Sequence, residues 1–403
     1  MHVFVSDLHL TDGTIGESVS DDQLTAHLLG ELPKLESPID LVFLGDIFEL
    51  LRSSEWAPLW DDAKVAPWTN MGVGFQNFPP KAAKTALTIL RRITARFPKF
   101  RAALKAQTDA GKLRTHYVPG NHDYMVQLSA DCRREVCDFL ALQHPASDRF
   151  FSHYAHASAE IFAVHGNVAD PLNWHDESAG RWAYGDVIVL RLVNVFITEA
   201  CTGAGCDPNE TGSLIARAYQ DLDNVDSVEL ALYFRYILER HLTNQNQRDE
   251  VLDLWTDVVN GVLSEKAFSD EKLYGDRTHK YMRYALQLSK EQSLAQLVPD
   301  LRQKYEALFG QKDPYIEEAQ DLLESQDGYR YILMGHTHRP LIAQLESPDS
   351  RPAYYVNTGC WRRVVLRGTK ANCFRPAAVR SRFVVDGAGR PYTYRLVREI
   401  ETE

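Results

Sequence analysis

The sequence predicts an α/β fold in which helices cover both faces of a sheet, and three observations carry that expectation. Five short apolar runs each end on a polar, metal-capable residue, helical periodicity lies between several of them, and one long amphipathic stretch interrupts the pattern before it resumes. The length agrees. A chain of 403 residues exceeds one minimal core, so one large domain of two or three layers with a substantial insertion is expected.

The runs are residues 2–6 before Asp7, 41–45 before Asp46, 117–120 before Asn121, 161–164 before His165 and 331–335 before His336. Dense apolar runs of this length read as buried strands. Residues 21–32 and 81–93 repeat apolar positions at helical spacing, which alternates helix with strand. Ligands of such folds gather at the carboxyl ends of strands, so the five polar residues are candidates for one shared site. After His338, short strands are expected around residues 353–356, 364–366, 382–385 and 392–396.

The chain divides into a main domain, residues 1–169 and 329–403, and a helical insertion, residues 170–328. In the insertion Leu230, Tyr233, Phe234, Ile237 and Leu238 form an amphipathic stripe behind a capping box at residues 226–229. Val251, Leu254, Trp255, Val258, Val259 and Val262 form a second stripe. Such a unit serves either packing and dimerisation or as a cap over the site. Residues 182–196 are rich in Val, Ile and Leu, but Asp186, Arg191 and Asn194 interrupt them within about 15 residues, too few and too polar for a bilayer span. A buried helix or strand is expected there.

Composition narrows the function. With 44% hydrophobic and 25% charged residues the chain is globular, and 44 basic against 55 acidic residues give a net charge of −11 that repels polyanions. Nucleic-acid binding is disfavoured. The first residues have neither the basic start nor the long apolar core of a secretion signal, so a cytoplasmic location is expected. Cysteines 132, 137, 201, 206, 360 and 373 contain no CxxC pair and read as reduced thiols, with Cys201 and Cys206 flanking a Gly-rich loop across which they could pair if oxidised.

Asp7-Leu8-His9 and His336-Thr337-His338 share an i, i+2 spacing that puts both side chains on one face of extended chain. Carboxylate and imidazole donors together suit Mn, Fe or Zn. One such histidine pair is ordinarily a surface or core feature. Recurrence at strand ends, together with Gly120-Asn121-His122-Asp123, argues for a site.

Taken together, Asp7-x-His9, Gly45-Asp46, Gly120-Asn121-His122-Asp123, His165-Gly166 and Gly335-His336-Thr337-His338 resemble the calcineurin-like metallophosphoesterase family, with all five blocks in that family's order over residues 1–165 and 331–361. The resemblance implies a four-layer αββα sandwich of two mixed sheets and two divalent ions, Mn before Fe or Zn. Asp7, His9, Asp46 and His338 would hold one ion, and Asp46, Asn121, His165 and His336 the other, with Asp46 and a hydroxide bridging. Two ions bring +4 against −2 from Asp7 and Asp46, which leaves a centre attractive to phosphate. His122 is not a ligand in the family pattern and would protonate the leaving group. Glu49 stands where the family more often has Asp and would hold the imidazole of His122; its other reading is an exposed glutamate at a helix start. The segment Gly45-Asp46-Ile47-Phe48-Glu49 is similar to that of the UDP-2,3-diacylglucosamine hydrolases, which usually have Arg at the place of His122 and a far smaller insertion.

Specificity must come from elsewhere. Trp56, Trp60, Trp68, Phe75 and Phe78 are either an aromatic lip for a nucleotide base or acyl chain, or a surface loop pinned by its own rings. Arg339, Arg362 and Arg363 are either contacts to substrate phosphate or surface residues; the latter two follow Asn357-Thr358-Gly359-Cys360-Trp361, a turn similar to one that closes family active sites. The expected activity is hydrolysis of a phosphomonoester, phosphodiester or pyrophosphate bond in a small phosphorylated substrate, with or without a nucleotide. A protein-binding scaffold would show gaps in the ligand set, and a nuclease would need a basic groove; neither is present in the sequence.

Overall fold

A computed structural model of the chain describes residues 1–16, 19–32, 38–59, 80–143, 149–174, 183–208, 214–225, 229–265, 268, 277–309, 312–347, 351–368, 374–386 and 393–402. The fold is mixed α/β with two mixed sheets. Eleven strands are present among these residues: β1 (His2–Val5), β2 (Ile39–Leu44), β3 (Leu113–Val118), β4 (Tyr154–His156), β5 (Ile161–Ala163), β6 (Tyr331–Met334), β7 (Leu341–Leu345), β8 (Ala353–Asn357), β9 (Trp361–Arg367), β10 (Phe374–Asp386) and β11 (Thr393–Thr402). The first sheet runs β11-β10-β1-β2-β3 with β9 paired to β10, and the second runs β4-β5-β6-β8-β7. β1, β2 and β3 pair in parallel, as do β5, β6 and β8, so the carboxyl ends within each set point one way.

Alternation along the strands explains the layering. Phe4, Val42, Leu44 and Val118 on one side meet Ile161, Ala163, Leu333 and Val356 on the other, which packs the sheets face to face. Val3, Val5, Leu41 and Phe43 point the opposite way into a core shared with Ile89, Ile93, Phe100 and Phe139 from the helices Pro80–Arg96, Pro98–Asp109 and Ala130–Phe139. Phe162, Ile332 and Met334 on the outside of the second sheet meet Ala319 and Leu323 of the helix Pro314–Ser325.

The helical segment between β5 and β6 shares the core of the first sheet's outer face. Phe234 of Leu230–Arg240 stacks on Trp255 of Gln245–Ser264 at 3.8 Å between ring centroids, and Phe196 meets Trp255 edge-on at 5.1 Å. Both expected stripes lie on these helices, while residues 226–228 of the expected capping box lie outside the described residues. Asn194 Nδ2 donates to Leu51 O at 2.8 Å and Arg52 donates to Gln220 O at 3.1 Å, which ties the segment to the loop after β2.

Several elements differ from the sequence expectation. Residues 184–196 of the apolar segment belong to a longer helix, Tyr184–Ala204, that by length and apolarity alone could cross a membrane, with 61% of its most apolar window buried within the protein; residue 182 lies outside the described residues. Its middle, Ile188–Val193, is a π-helical turn, as is Thr25–Leu29 in the helix expected over residues 21–32. Strands β4 and β7 were not expected. Cys132, Cys137, Cys201, Cys206 and Cys360 are free thiols, in line with the expectation, and Cys373 lies outside the described residues.

Candidate metal centre

The first ligand pair lies on two loops that leave β1 and β2 side by side. Beyond the strand ends the pairing continues, with Asp7 N donating to Gly45 O (3.0 Å), His9 N to Asp46 O (2.9 Å) and Leu10 N to Ile47 O (2.9 Å). To keep these bonds while turning the side chains inward, Asp7, His9 and Asp46 adopt left-handed φ values of 53°, 44° and 52°. His336 and His338 do the same after β6, at 68° and 58°. Such a conformation costs on the order of 1–3 kcal/mol per non-glycine residue and persists where the surroundings over-determine it. Five of the seven such residues among the described ones are expected ligands, so the strain is concentrated at this one place.

Two glycines let the strand ends close on each other. Gly45 sits at φ 84°, and a Cβ there would run into the His165 imidazole. A Cβ at Gly335 would collide with the Asp7 carboxylate and the Ser6 hydroxyl.

Nitrogen and oxygen donors converge here in three groups that could each hold a metal ion: Asp7, His9 and His338; His9, Asp46 and His122; and Asp46, His165 and His336. The outer partners set which nitrogen faces inward. His9 Nδ1 donates to Glu49 Oε2 at 2.7 Å, which leaves Nε2 carrying the lone pair, 3.1 Å from His338 Nε2, 3.8 Å from Asp46 and 3.9 Å from Asp7. His165 Nδ1 donates to Leu44 O at 2.9 Å, so its Nε2 faces Asp46 (3.1 Å) and Asn121 Oδ1 (3.2 Å). Asn121 is buried, and its Nδ2 has no hydrogen-bond partner.

Charge follows from this packing. Burial alone would raise the Asp7, Asp46 and Glu49 carboxyls, but the imidazoles around them outweigh it and hold all three below the usual carboxylate range. Burial opposes a charge on His165 as well, yet the Asp46 carboxylate raises its imidazole to about 9. His338 goes the other way, lowered by burial to about 4, which keeps a lone pair available. The site is thus a buried anionic cluster that draws positive charge.

Glu49 is fully buried, not an exposed residue at a helix start. Besides His9 it accepts from His122 Nδ1 at 2.9 Å, and the backbone N–H groups of Leu51 and Arg52 donate to it at 3.2 Å each. One carboxylate therefore orients two imidazoles. His122 N donates to Asp46 Oδ1 at 2.8 Å, which brings His122 within ligating reach of Asp46 and His9.

Two residues with no assigned role in the sequence reading join the site. Asp123, within the quoted tetrapeptide, accepts from Gly120 N (2.6 Å) and Ile47 N (2.8 Å) and so clamps two ligand loops together; burial and then the Asp46 charge raise its carboxyl to about 6. Asp170 lies five residues after His165, and its Oδ2 accepts from His336 Nε2 at 3.1 Å and from the Tyr315 hydroxyl at 3.4 Å. With Nε2 donating, Nδ1 is the His336 nitrogen left to ligate. Asp170→Asn is expected to weaken metal binding by roughly 10- to 100-fold, the usual cost of losing such an orienting partner. Calorimetric titration of Mn into metal-free protein measures it, and an unchanged affinity would remove Asp170 from the site.

A cavity of about 200 Å³ opens on this cluster, with Asp46, His122, His336 and His338 at one end. Residues of the helical segment and of β9 line the same cavity, among them Ile188, Leu222, Tyr315 and Val364. The specificity residues fall differently from expectation. Trp56 is buried with Nε1 bonded to Leu50 O at 2.8 Å and forms no lip; Trp60, Trp68, Phe75 and Phe78 lie outside the described residues. Arg339 lines the cavity from an exposed position. Arg362 lines it while buried and hydrogen-bonded to Asn224, and Arg363 is held in a bidentate pair by Asp221 at 2.8 and 2.9 Å. Arg363 therefore fastens the helical segment to β9 and is not among the residues lining the cavity.

No protein-family model matches the chain, and no curated protein matches it in sequence.

Proposed function

We propose that the protein is a calcineurin-like metallophosphoesterase: a hydrolase of phosphoester bonds that uses two divalent ions in an αββα sandwich. The observation that carries this reading is the convergence of Asp7, His9, Asp46, Asn121, His165, His336 and His338, from five strand ends, into groups with metal-ligand spacing on strained backbone. The donor set fits the ions on three counts. His9 and His165 have their outer nitrogens satisfied and their Nε2 atoms turned inward. His338 stays neutral. Asn121 leaves its amide nitrogen unbonded while its oxygen faces His165, which is the orientation a cation at Oδ1 would select. Mixed carboxylate, carboxamide and imidazole donors favour Mn, then Fe or Zn, over Mg or Ca.

Asp7, His9 and His338, with Asp46, would hold one ion; Asp46, Asn121, His165 and His336 the other. When bound, the ions supply Lewis acidity to phosphate oxygens and acidify a water. The chain's own residues do the rest. Glu49 accepts the Nδ1 proton of His122 and stabilises the charged imidazole, so the proton for the leaving oxygen sits on His122 Nε2. Arg362 and Arg339 bring positive charge to the same cavity, where they complement phosphate.

Metal analysis of protein purified without chelator tests the reading, followed by assay with Mn against phosphomonoesters, phosphodiesters and nucleotide-sugar pyrophosphates. Near two ions per chain and turnover of at least one class are expected. Protein that binds no ion, or that binds ions and hydrolyses none of the panel, would leave a scaffold role in its place.

A further inference from the structure

A second cavity lies within the helical segment and shares no lining residue with the one at the metal centre. Lys280, Arg283, Tyr284 and Gln287 of the helix Arg277–Glu291 line it, with Leu263 of Gln245–Ser264 and Lys304 of Leu294–Phe309. Its volume is about 600 Å³. That falls within the range of small-molecule sites, roughly 300 to 1,000 Å³.

The lining holds three cations, Lys280, Arg283 and Lys304, and no carboxylate, in a chain whose acidic residues outnumber its basic ones by 55 to 44. Helical spacing gathers two of them, because positions 280, 283, 284 and 287 fall on one face. The carboxylates of the two helices that carry the cations are engaged elsewhere: Glu291 accepts from Gln287 at 2.9 Å, Asp300 from Gln292 at 3.0 Å and Glu306 from Arg302 at 2.9 Å. Lys280 and Lys304 therefore line the cavity without an ion-pair partner among the described residues. Like charges gathered in a concave site repel one another and draw an anion between them.

Two of the three cations are also held in place. Arg283 Nη1 and the buried His279 Nε2 both donate to Phe268 O, each at 2.7 Å, which fixes the guanidinium while its other N–H groups stay unbonded among the described residues. Lys304 Nζ lies 5.1 Å from the centre of the Tyr284 ring, a cation–π contact that orients the ammonium.

We infer that this cavity is a second binding site, for a small ligand that carries a diphosphate group. A phosphomonoester brings about −1.5 to −2 at pH 7, short of three cations, and a second phosphoryl group closes the difference. Guanidinium and ammonium donors both suit phosphate oxygens, the first as a fork and the second as a point charge. A free diphosphate and a nucleoside diphosphate share this chemistry. The base of the latter would lie against Leu263 and Tyr284.

Calorimetric titration of the full chain, stripped of metal and desalted, isolates the site, because without ions the buried carboxylates of Asp7 and Asp46 repel phosphate from the other cavity. Pyrophosphate is expected to bind at one site per chain. Lys280→Gln and Lys304→Gln are each expected to weaken it about fivefold, the upper range for one solvent-exposed charge pair, and together about 25-fold. Lys105→Gln removes an exposed cation that pairs with Asp109 on another helix, and is expected to leave binding unchanged. ADP serves as the second probe. Affinity about tenfold above that of pyrophosphate, as a base packed on Tyr284 would give, supports the site with a nucleotide as its ligand, and equal affinity supports it with the diphosphate alone. Absence of saturable binding by either probe, or binding by wild type that both lysine changes leave intact, would overturn the inference whether or not the metal centre turns over a phosphoester.

Discussion

The Asp46→Asn protein is expected to retain less than one ion per chain and to lose turnover by roughly 10³-fold or more, a larger effect than any other single ligand change. Asp46 stands between the two outer groups of ligands: its Oδ2 is 3.1 Å from His165 Nε2 and 3.8 Å from His9 Nε2, while its Oδ1 accepts the His122 backbone N–H. Asparagine keeps the shape and an oxygen for that N–H, so the loop geometry has no reason to change. What it removes is the charge that would offset the repulsion of two cations and the second oxygen that would bind one of them. Metal content per chain, measured beside turnover and a thermal melt, separates this from misfolding. Two retained ions with a near-normal rate would remove the bridging assignment.

The residues that converge on Asp46 were legible in the sequence because their strands are buried on both faces. β1, His2–Val5, is buried at every position, as is β2, so each appears as an apolar run that stops abruptly at the ligand. The same physics hid β4 and β7. Tyr154–His156 is three residues long with none fully buried, and four of the five residues of Leu341–Leu345 are not, so neither carries a run or an alternation. Helices Pro98–Asp109 and Ala130–Phe139 were omitted although their signals existed: a proline at the first turn in one, and Ser129 capping the N–H of Asp131 in the other.

Asp170 had no such signal. It sits in a loop without periodicity, and only the fold brings it to His336. Arg362 and Arg363 show the limit differently. Adjacent in sequence, they bond to neighbouring residues of one turn, Asn224 and Asp221, yet Arg362 lines the cavity while Arg363 is held in a bidentate pair by Asp221. Whether an arginine is available for substrate depends on a partner about 140 residues away, which no local pattern contains. The π turn at Ile188–Val193 is equally silent, since a one-residue change in helical repeat leaves the composition of an apolar segment unaltered.

His122→Ala is expected to keep the metal and to lose turnover by roughly 10²- to 10⁴-fold, the usual contribution of a positioned acid. The structure sharpens the choice between acid and ligand, because His122 shares a group with His9 and Asp46 while its Nδ1 is held by Glu49. His9 is held by Glu49 in the same way, so an orienting carboxylate alone does not tell the two roles apart. Leaving-group dependence does. A nitrophenolate departs with little need of a proton, whereas an aliphatic alkoxide departs poorly without one, so the ratio of mutant to wild-type rates should rise as the leaving-group pKa falls. A series of aryl and alkyl phosphate esters measures that trend, with metal content determined on the same preparations. An equal defect across the series would make His122 a phosphate-binding group, and loss of an ion with the side chain would make it a ligand beside His9 and Asp46.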